Sequence, residues 1–430
     1  MKKRIIVLMV CASALASCGL YSKYERPDVD VAFDETIELP GWMEMYTDPK
    51  LRVLIEKALS EATSPAIAAL KVEEAEAALQ KARGQFLPSL DGSGSADLRY
   101  GDLGAGLRAS WQLDIFGKVR NAAMASRAAL EESEAYRQAV TAALVSAVAQ
   151  SYYTLLVLDS QLDISLKTLD NWDKTISVLE SMKAAGKTNS ISILQAKATR
   201  MRLESSTIGI KGSLEMEENS LKALVGDRGM TIERGSLDEA SFPIEAFLEI
   251  PLRAVASRPD IRQAEMALAE AFYNTAKARS AFYPDITLTG NSAWRSGVDD
   301  IAWSALGDLA EPILDRNARK ADLKAAKARQ EEARLVFRQA LLDAGAEVDN
   351  AISKCRVAAE KMRMDSLQRE ALSEAMEKIQ LTMIYSSTNY LEVLTAQQSL
   401  LDAELGIISD KQSITSALIA LYQALGGGVN

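Results

Sequence analysis

Very few side chains in this sequence could do covalent or acid–base chemistry. Among 430 residues there are 49 Lys and Arg, 59 Asp and Glu, three Cys and no His. Without imidazole there is no Ser-His-Asp triad, no His base and no His metal ligand. Carboxylates are plentiful, but no motif pairs them. Asp299-Asp300 falls in a loop, where a solvated pair is the ordinary reading and a hydrolase the weakest functional one. No G-x-x-x-x-G-K-[ST] loop is present, so the chain carries no such nucleotide site of its own. The residues therefore predict no catalytic group, no metal and no cofactor. The net charge of −10 argues against a nucleic-acid partner, which needs a basic field.

The thiols are the exception. Cys11 and Cys18 lie in an N-terminal segment with a basic start, Met1-Lys-Lys-Arg4, and an apolar run, Ile5–Ala16. That is the form of a secretory signal, too short to span a bilayer. Leu15-Ala16-Ser17-Cys18-Gly19 resembles a bacterial lipobox. The resemblance implies a signal peptide over 1–17 and lipid on the thiol and new amine of Cys18. It also implies outer-membrane sorting, since Gly rather than Asp follows the Cys. The plain alternative is cleavage after Ala14-Leu15-Ala16. Loss of the leader's three positive charges takes the net charge from −10 to −13. Only Cys355 remains in the mature body, so it can form no internal disulfide; mid-helix, it reads as a small core residue.

The elements that position anything else are repeated. Thr188-Asn189 recurs as Thr388-Asn389, Ala223-Leu-Val-Gly226 as Ala424-Leu-Gly-Gly427, and Gln85-Phe-Leu-Pro88 as Phe282-Tyr-Pro284. From Ser89 the chain alternates with period two. Leu90, Gly92, Gly94, Ala96, Leu98 and Tyr100 fall on one face, opposite Ser89, Asp91, Ser93, Ser95, Asp97 and Arg99. After a turn at Gly101-Asp102, Leu103, Ala105, Leu107, Ala109, Trp111, Leu113 and Ile115 continue the apolar face. A second hairpin, 285–313, has Ile286, Leu288, Gly290, Trp294, Trp303, Ala305 and Leu309 on the apolar side. Strands of about 11 residues with one apolar face suit a membrane barrel, with Trp111, Trp294 and Trp303 in the interface girdles. The bland alternative is a half-buried sheet in a soluble domain. Apart from the leader, no strongly apolar uncharged run of helical length is evident, so any crossing must be β. Four strands cannot close alone, and an open edge in lipid is forbidden; the count asks for an oligomer.

Lys118–Ala185 reads as one helix of about 68 residues, roughly 100 Å at 1.5 Å per residue. Arg316–Tyr385 reads likewise, with Gly345 inside. Shorter helices are expected over Pro49–Arg83, Ser190–Val225, Arg258–Ser280 and Thr388–Leu425, stacked in pairs beside the long ones. The many Ala residues of the first long helix permit close packing. Each repeat thus runs helix, hairpin, long helix, tip, helix. The first spans 49–225 with its hairpin at 89–115 and tip at 186–190. The second spans 258–425 with its tip at 385–389. Residues 18–48, 226–257 and 426–430 form an anchor, an equatorial linker and a tail.

These segments resemble the TolC-like outer-membrane efflux proteins, in their lipoprotein branch. Trp111-Gln-Leu-Asp-Ile-Phe-Gly-Lys-Val-Arg-Asn121, Ser257-Arg-Pro-Asp-Ile-Arg-Gln-Ala-Glu265 and Phe282-Tyr-Pro-Asp-Ile-Thr-Leu-Thr-Gly290 carry the likeness. So do Tyr390-Leu-Glu-Val-Leu-Thr-Ala-Gln397, Ala420-Leu-Tyr-Gln-Ala-Leu-Gly-Gly-Gly428 and Tyr24-Glu-Arg-Pro27. The resemblance implies a mainly α fold with a small β part: a homotrimer with an α-barrel of long helices and a 12-stranded transmembrane β-barrel. It implies a passive exit duct for small molecules, in the outer membrane of a Gram-negative bacterium and extending into the periplasm. Its partners would be outer-membrane lipid, a periplasmic adaptor and an inner-membrane resistance-nodulation-division pump. The tips, Gly186, Lys187, Thr188 and Asn189 with Tyr385, Ser386, Ser387, Thr388 and Asn389, would dock the adaptor. Glu392 would line the periplasmic gate, with Thr395 where family members often place a second acid. A duct for type I protein secretion keeps the same fold; a periplasmic structural lipoprotein built as a helical rod is a different class.

Overall fold

The computed structural model describes residues 23–27, 41–97, 102–186, 188–239, 258–295, 302–310, 316–385 and 390–427. Cys18, Lys187, Ser386, Ser387, Thr388, Asn389 and the Asp299-Asp300 loop lie outside the described residues. In chain order the elements are α1 (Trp42–Met45), α2 (Pro49–Glu61), α3 (Thr63–Gly84), β1 (Ser89–Asp97), β2 (Asp102–Leu113), α4 (Lys118–Ala184) and α5 (Ser190–Val225). After a 3-10 turn at Leu237–Glu239 come α6 (Pro259–Ser280), β3 (Asp285–Arg295), β4 (Ala302–Ala310), α7 (Arg316–Tyr385) and α8 (Tyr390–Ala424).

The repeat is explicit in these lengths. α3 and α6 have 22 residues each. α4 and α7 have 67 and 70, and α5 and α8 have 36 and 35. The αL residues that end α5 and α8 correspond too: Gly226 has φ +88° and Gly426 φ +86°.

The structure departs from the sequence expectation in four places. Pro49–Arg83 is two helices, broken at Ala62, whose φ and ψ are −66° and 143°. In a continuous helix Pro65 would offer no N–H to the Glu61 carbonyl, and its ring would press on that oxygen. The break also admits Gly226, where a Cβ would stand 2.9 Å from the Glu61 oxygen. Asp102 is not a turn residue but pairs with Asp97 in the ladder; Leu98, Arg99, Tyr100 and Gly101 lie outside the described residues. β2 stops at Leu113 because Asp114 turns back to cap α4. Its two carboxylate oxygens accept from the Val119 and Arg120 amides, each at 2.9 Å, and Gly117 at φ +75° makes the corner. Finally, α4 does hold an 18-residue window of mean hydropathy 1.5, but that window is 67% buried in the protein. It reads as a core helix.

The chain divides into two compact units, each drawing on both repeats. One comprises 1–32, 67–137 and 259–342 and holds the whole sheet. Its helices meet on small side chains, with Ala125 and Ala128 of α4 and Ala269 and Ala276 of α6 all buried. The other comprises 33–66, 138–258 and 343–430. There Trp172, Ile176 and Leu179 of α4 pack with Ile193, Ala196 and Leu203 of α5 and Leu401 of α8. Tyr46 meets Tyr422 edge-on at 6.0 Å. Cys355 is buried in α7, as a small core residue would be, and burial pushes its thiol up.

Candidate functional site

The four strands make one antiparallel sheet in the order β1-β2-β3-β4. Its register puts Leu90 opposite Ala109, Gly92 opposite Leu107, Leu107 opposite Ser292 and Trp111 opposite Leu288. β4 continues the rows, with Ile286 opposite Leu309 and Gly290 opposite Ala305. One face is thus almost wholly apolar, and among the described residues nothing covers it. Leu90 is 71% exposed, Leu107 54% and Leu288 43%. Water would exact a large penalty for such a face, whereas lipid accepts it. The 12-residue β2 reaches about 40 Å, and at a barrel's strand tilt it covers the roughly 25 Å apolar band. β1 and β4 each leave one edge with no partner strand among the described residues.

The helix side of the sheet is fastened by ions and aromatic rings. Lys118 Nζ lies 2.7 Å from Asp285, which also accepts from Gln112 Nε2 at 3.0 Å, so the two hairpins are tied together. Trp111 donates to the Phe86 carbonyl at 3.0 Å, and Phe116 stacks on Tyr283 at 4.9 Å. In the same unit, Arg26 grips Glu265 with both Nε and Nη2, and the Tyr24 amide donates to the Tyr273 hydroxyl. This clasp seats residues 24–26 on α6.

At the other ends of the long helices, Gly186 takes φ +70° and closes α4. Thr188 is half-buried, and Asn189 caps α5 by accepting from the Ile191 and Ser192 amides at 3.0 and 3.3 Å. Tyr385 is the last residue of α7. Glu392 and Thr395 are both exposed on the first turns of α8, and Gln397 donates to Thr175 of α4 at 2.9 Å. Arg200 bridges to Asp173, and Lys197 to Glu180, which zips α5 to α4 above the tip. Further along, a cavity of about 690 Å³ opens beside Asp159, Asp163, Lys167, Arg369, Glu404 and Lys411. Burial raises the Glu404 carboxyl against the pull of Arg369 and Lys167. No cluster of three metal-ligating side chains occurs among the described residues.

In the sequence, several further contact residues stand out only as parts of motifs. Arg258 donates to the Ala424 carbonyl and pairs with Glu347, each at 2.8 Å, which links the Ser257–Glu265 and Ala420–Gly428 segments. Lys118 and Asp285 link two others. No local pattern signals such pairings, because the partners lie far apart in the chain.

An exposed apolar face on a four-stranded antiparallel sheet, with single helices of 67 and 70 residues, is the combination found in an outer-membrane channel of the TolC-like class. The family model for the outer membrane efflux proteins matches residues 54–227 and 250–427. The chain is 28% identical over 450 residues to the cation efflux system protein CusC of Escherichia coli K12, covering 97% of this chain and 98% of that one. It is 29% identical over 446 residues to the probable outer membrane lipoprotein SilC of Salmonella typhimurium, covering 96% of each. A crystal structure of CusC superposes with a TM-score of 0.87 at 27% identity, over 96% of this chain and all of that one. The chain belongs to the outer membrane efflux protein family, and it is an outer-membrane efflux duct.

Proposed function

We propose that three copies assemble into one duct, each lending four strands to a 12-stranded barrel and its long helices to a periplasmic tunnel. The observation that carries this is the sheet itself: among the described residues, a bare apolar face and two open edges. Hydrocarbon cannot satisfy an unpaired strand edge, so closure must come from neighbours. Lipid on Cys18 anchors the chain, and the Tyr24–Arg26 clasp holds the following segment to the body. The tips receive a periplasmic adaptor, and an inner-membrane resistance-nodulation-division pump supplies the energy. No residue is assigned a catalytic role. Glu392 lines the closed mouth, where one carboxylate per chain forms a ring that repels anions or holds a cation. The exported compounds are small ions or molecules, as the relatives named for cation efflux suggest. A protein-secretion duct is the second reading; it predicts transport of an unfolded polypeptide and is tested by the same reconstitution.

Purified full-length protein is expected to need detergent, to run as a heat-resistant trimer and to conduct ions across a planar bilayer. A monomer that conducts nothing overturns the reading, and a lipid-free, water-soluble rod replaces it.

A further inference from the structure

Positive charge collects around the base of the sheet, in a chain whose net charge is −10. α3 ends on Lys81 and Arg83, and α6 on Lys277 and Arg279. α4 opens on Lys118 and Arg120, and α7 on Arg316, Arg319 and Lys320, with no acid in either first turn. The helix macrodipole explains only half of this. It favours cations at the C-termini of α3 and α6 and disfavours them at the N-termini of α4 and α7. Helix ends of opposite polarity carry the same sign, and what they share is attachment to the sheet.

Two of the charges serve internal contacts: Lys118 pairs with Asp285, and Arg319 donates to the Ala281 carbonyl. Lys81, Arg83, Lys277, Arg279, Lys320 and Lys324 are exposed and make no side-chain ion pair or hydrogen bond among the described residues. One acid, Asp322, interrupts the run on α7. The turns that follow α3 and α6 carry exposed aromatic rings: Phe86 is 39% exposed and Tyr283 40%, with Trp111 beside them at 41%. Such rings mark the membrane–water interface. Arg83 precedes Phe86 by three residues and Arg279 precedes Tyr283 by four, a reach of roughly 5–10 Å. That is headgroup depth for a side chain that can extend its charge along an apolar surface.

We propose that this basic collar binds the phosphate headgroups of anionic phospholipids in the leaflet around the helix side of the sheet. The inference rests on the sheet lying in lipid. The collar adds selectivity among lipids, a property the apolar face cannot supply. Each Lys or Arg near an anionic leaflet strengthens attraction about fivefold, and a preference of at least that order is expected from the four cations at the ends of α3 and α6, which lie nearest the aromatic level.

The test uses the full-length protein with brominated phosphatidylglycerol or brominated phosphatidylcholine, read by tryptophan quenching. Trp111 and Trp294 are exposed on the sheet, whereas Trp42 and Trp172 are buried. The native protein should favour phosphatidylglycerol about fivefold at low salt, and 0.5 M salt should erase the preference. The variant Lys81→Gln, Arg83→Gln, Lys277→Gln, Arg279→Gln should show a ratio near one while quenching by phosphatidylcholine is unchanged. Equal quenching by both lipids in the native protein overturns the proposal. So does a preference that survives the four substitutions or salt, or one that millimolar glycerol phosphate abolishes, which would make the collar a site for soluble phosphate. Should the variant fail to fold, the salt dependence of the native protein still decides. Absence of quenching by phosphatidylcholine in the native protein removes the membrane sheet itself, and the collar with it.

Discussion

Arg258 occupies a place that no other side chain serves. Its guanidinium reaches the Ala424 carbonyl and Glu347 in two directions while its side chain stays 8% exposed. The Ala424 oxygen belongs to the last turn of α8, where no helical donor follows. Lysine could reach one partner but not both, so Arg258→Lys is expected to cost about 1–3 kcal/mol, the penalty of a buried carbonyl left unpaired. A lowered melting temperature by far-ultraviolet circular dichroism checks it. Gly226 makes a second case, on backbone grounds. At φ +88°, with the Glu61 oxygen 2.9 Å from a would-be Cβ, Gly226→Ala should destabilise by roughly 1–3 kcal/mol; a melt within error of the native protein would count against it. Tyr24 points the other way. Its hydroxyl is buried without a hydrogen-bond partner, so Tyr24→Phe should be neutral or slightly stabilising. Burial, and then the nearby Glu265 carboxylate, push the phenol up to about 12 from an ordinary 10. Because the native value is raised, stability is unaffected below pH 10 and falls as the buried phenol is forced to ionise while pH climbs toward 12. Tyrosinate absorbance, compared between the native protein and Tyr24→Phe, should show one late-titrating phenol.

At the scale of elements, the apolar face of the sheet is the part most open to test. Leu107 stands mid-strand, opposite Gly92 and Ser292. Leu107→Arg should cost about 2–4 kcal/mol in the bilayer, whereas Arg108→Gln, on the other face, should change little; unfolding from lipid vesicles distinguishes them. This face was legible because period two survives for whole strands: Leu90, Leu107, Leu288 and Trp294 each keep their expected side. The long helices were legible because their cores lack Pro and turn signals, and α5 begins and ends at the expected residues. The break at Ala62 was not, since Thr63-Ser64-Pro65 is compatible with a helical first turn, and only the carbonyl of Glu61 registers the conflict. Nor was the cap of α4. Asp114 sits in a strand-like alternation, and its capping role depends on the Gly117 corner. The clasp between Arg26 and Glu265 spans most of the chain, so no local pattern could pair them.

In the proposed assembly the whole molecule seals two strand edges in lipid and closes one mouth in water, and the mouth is the part that single substitutions can test. Glu392 lies in the first turn of α8. There its charge also favours the helix by about 0.3–1 kcal/mol through the macrodipole. Neutralisation therefore has two effects that must be separated. Glu392→Gln should raise single-channel conductance if the carboxylates hold the mouth closed through a shared cation, and should lower the melting temperature only slightly through the helix end. Thr395→Asp places a second acid one turn further on without touching Glu392. In a trimer it should deepen the ring, favouring cations over anions and lowering conductance in divalent salt. Opposite shifts from the two substitutions, with thermal stability nearly constant, are the signature of a gate. If conductance is unmoved by both, Glu392 does no more than favour its helix end, and any closure of the proposed mouth rests instead on packing such as that of Met376 on Val393 and Ala396.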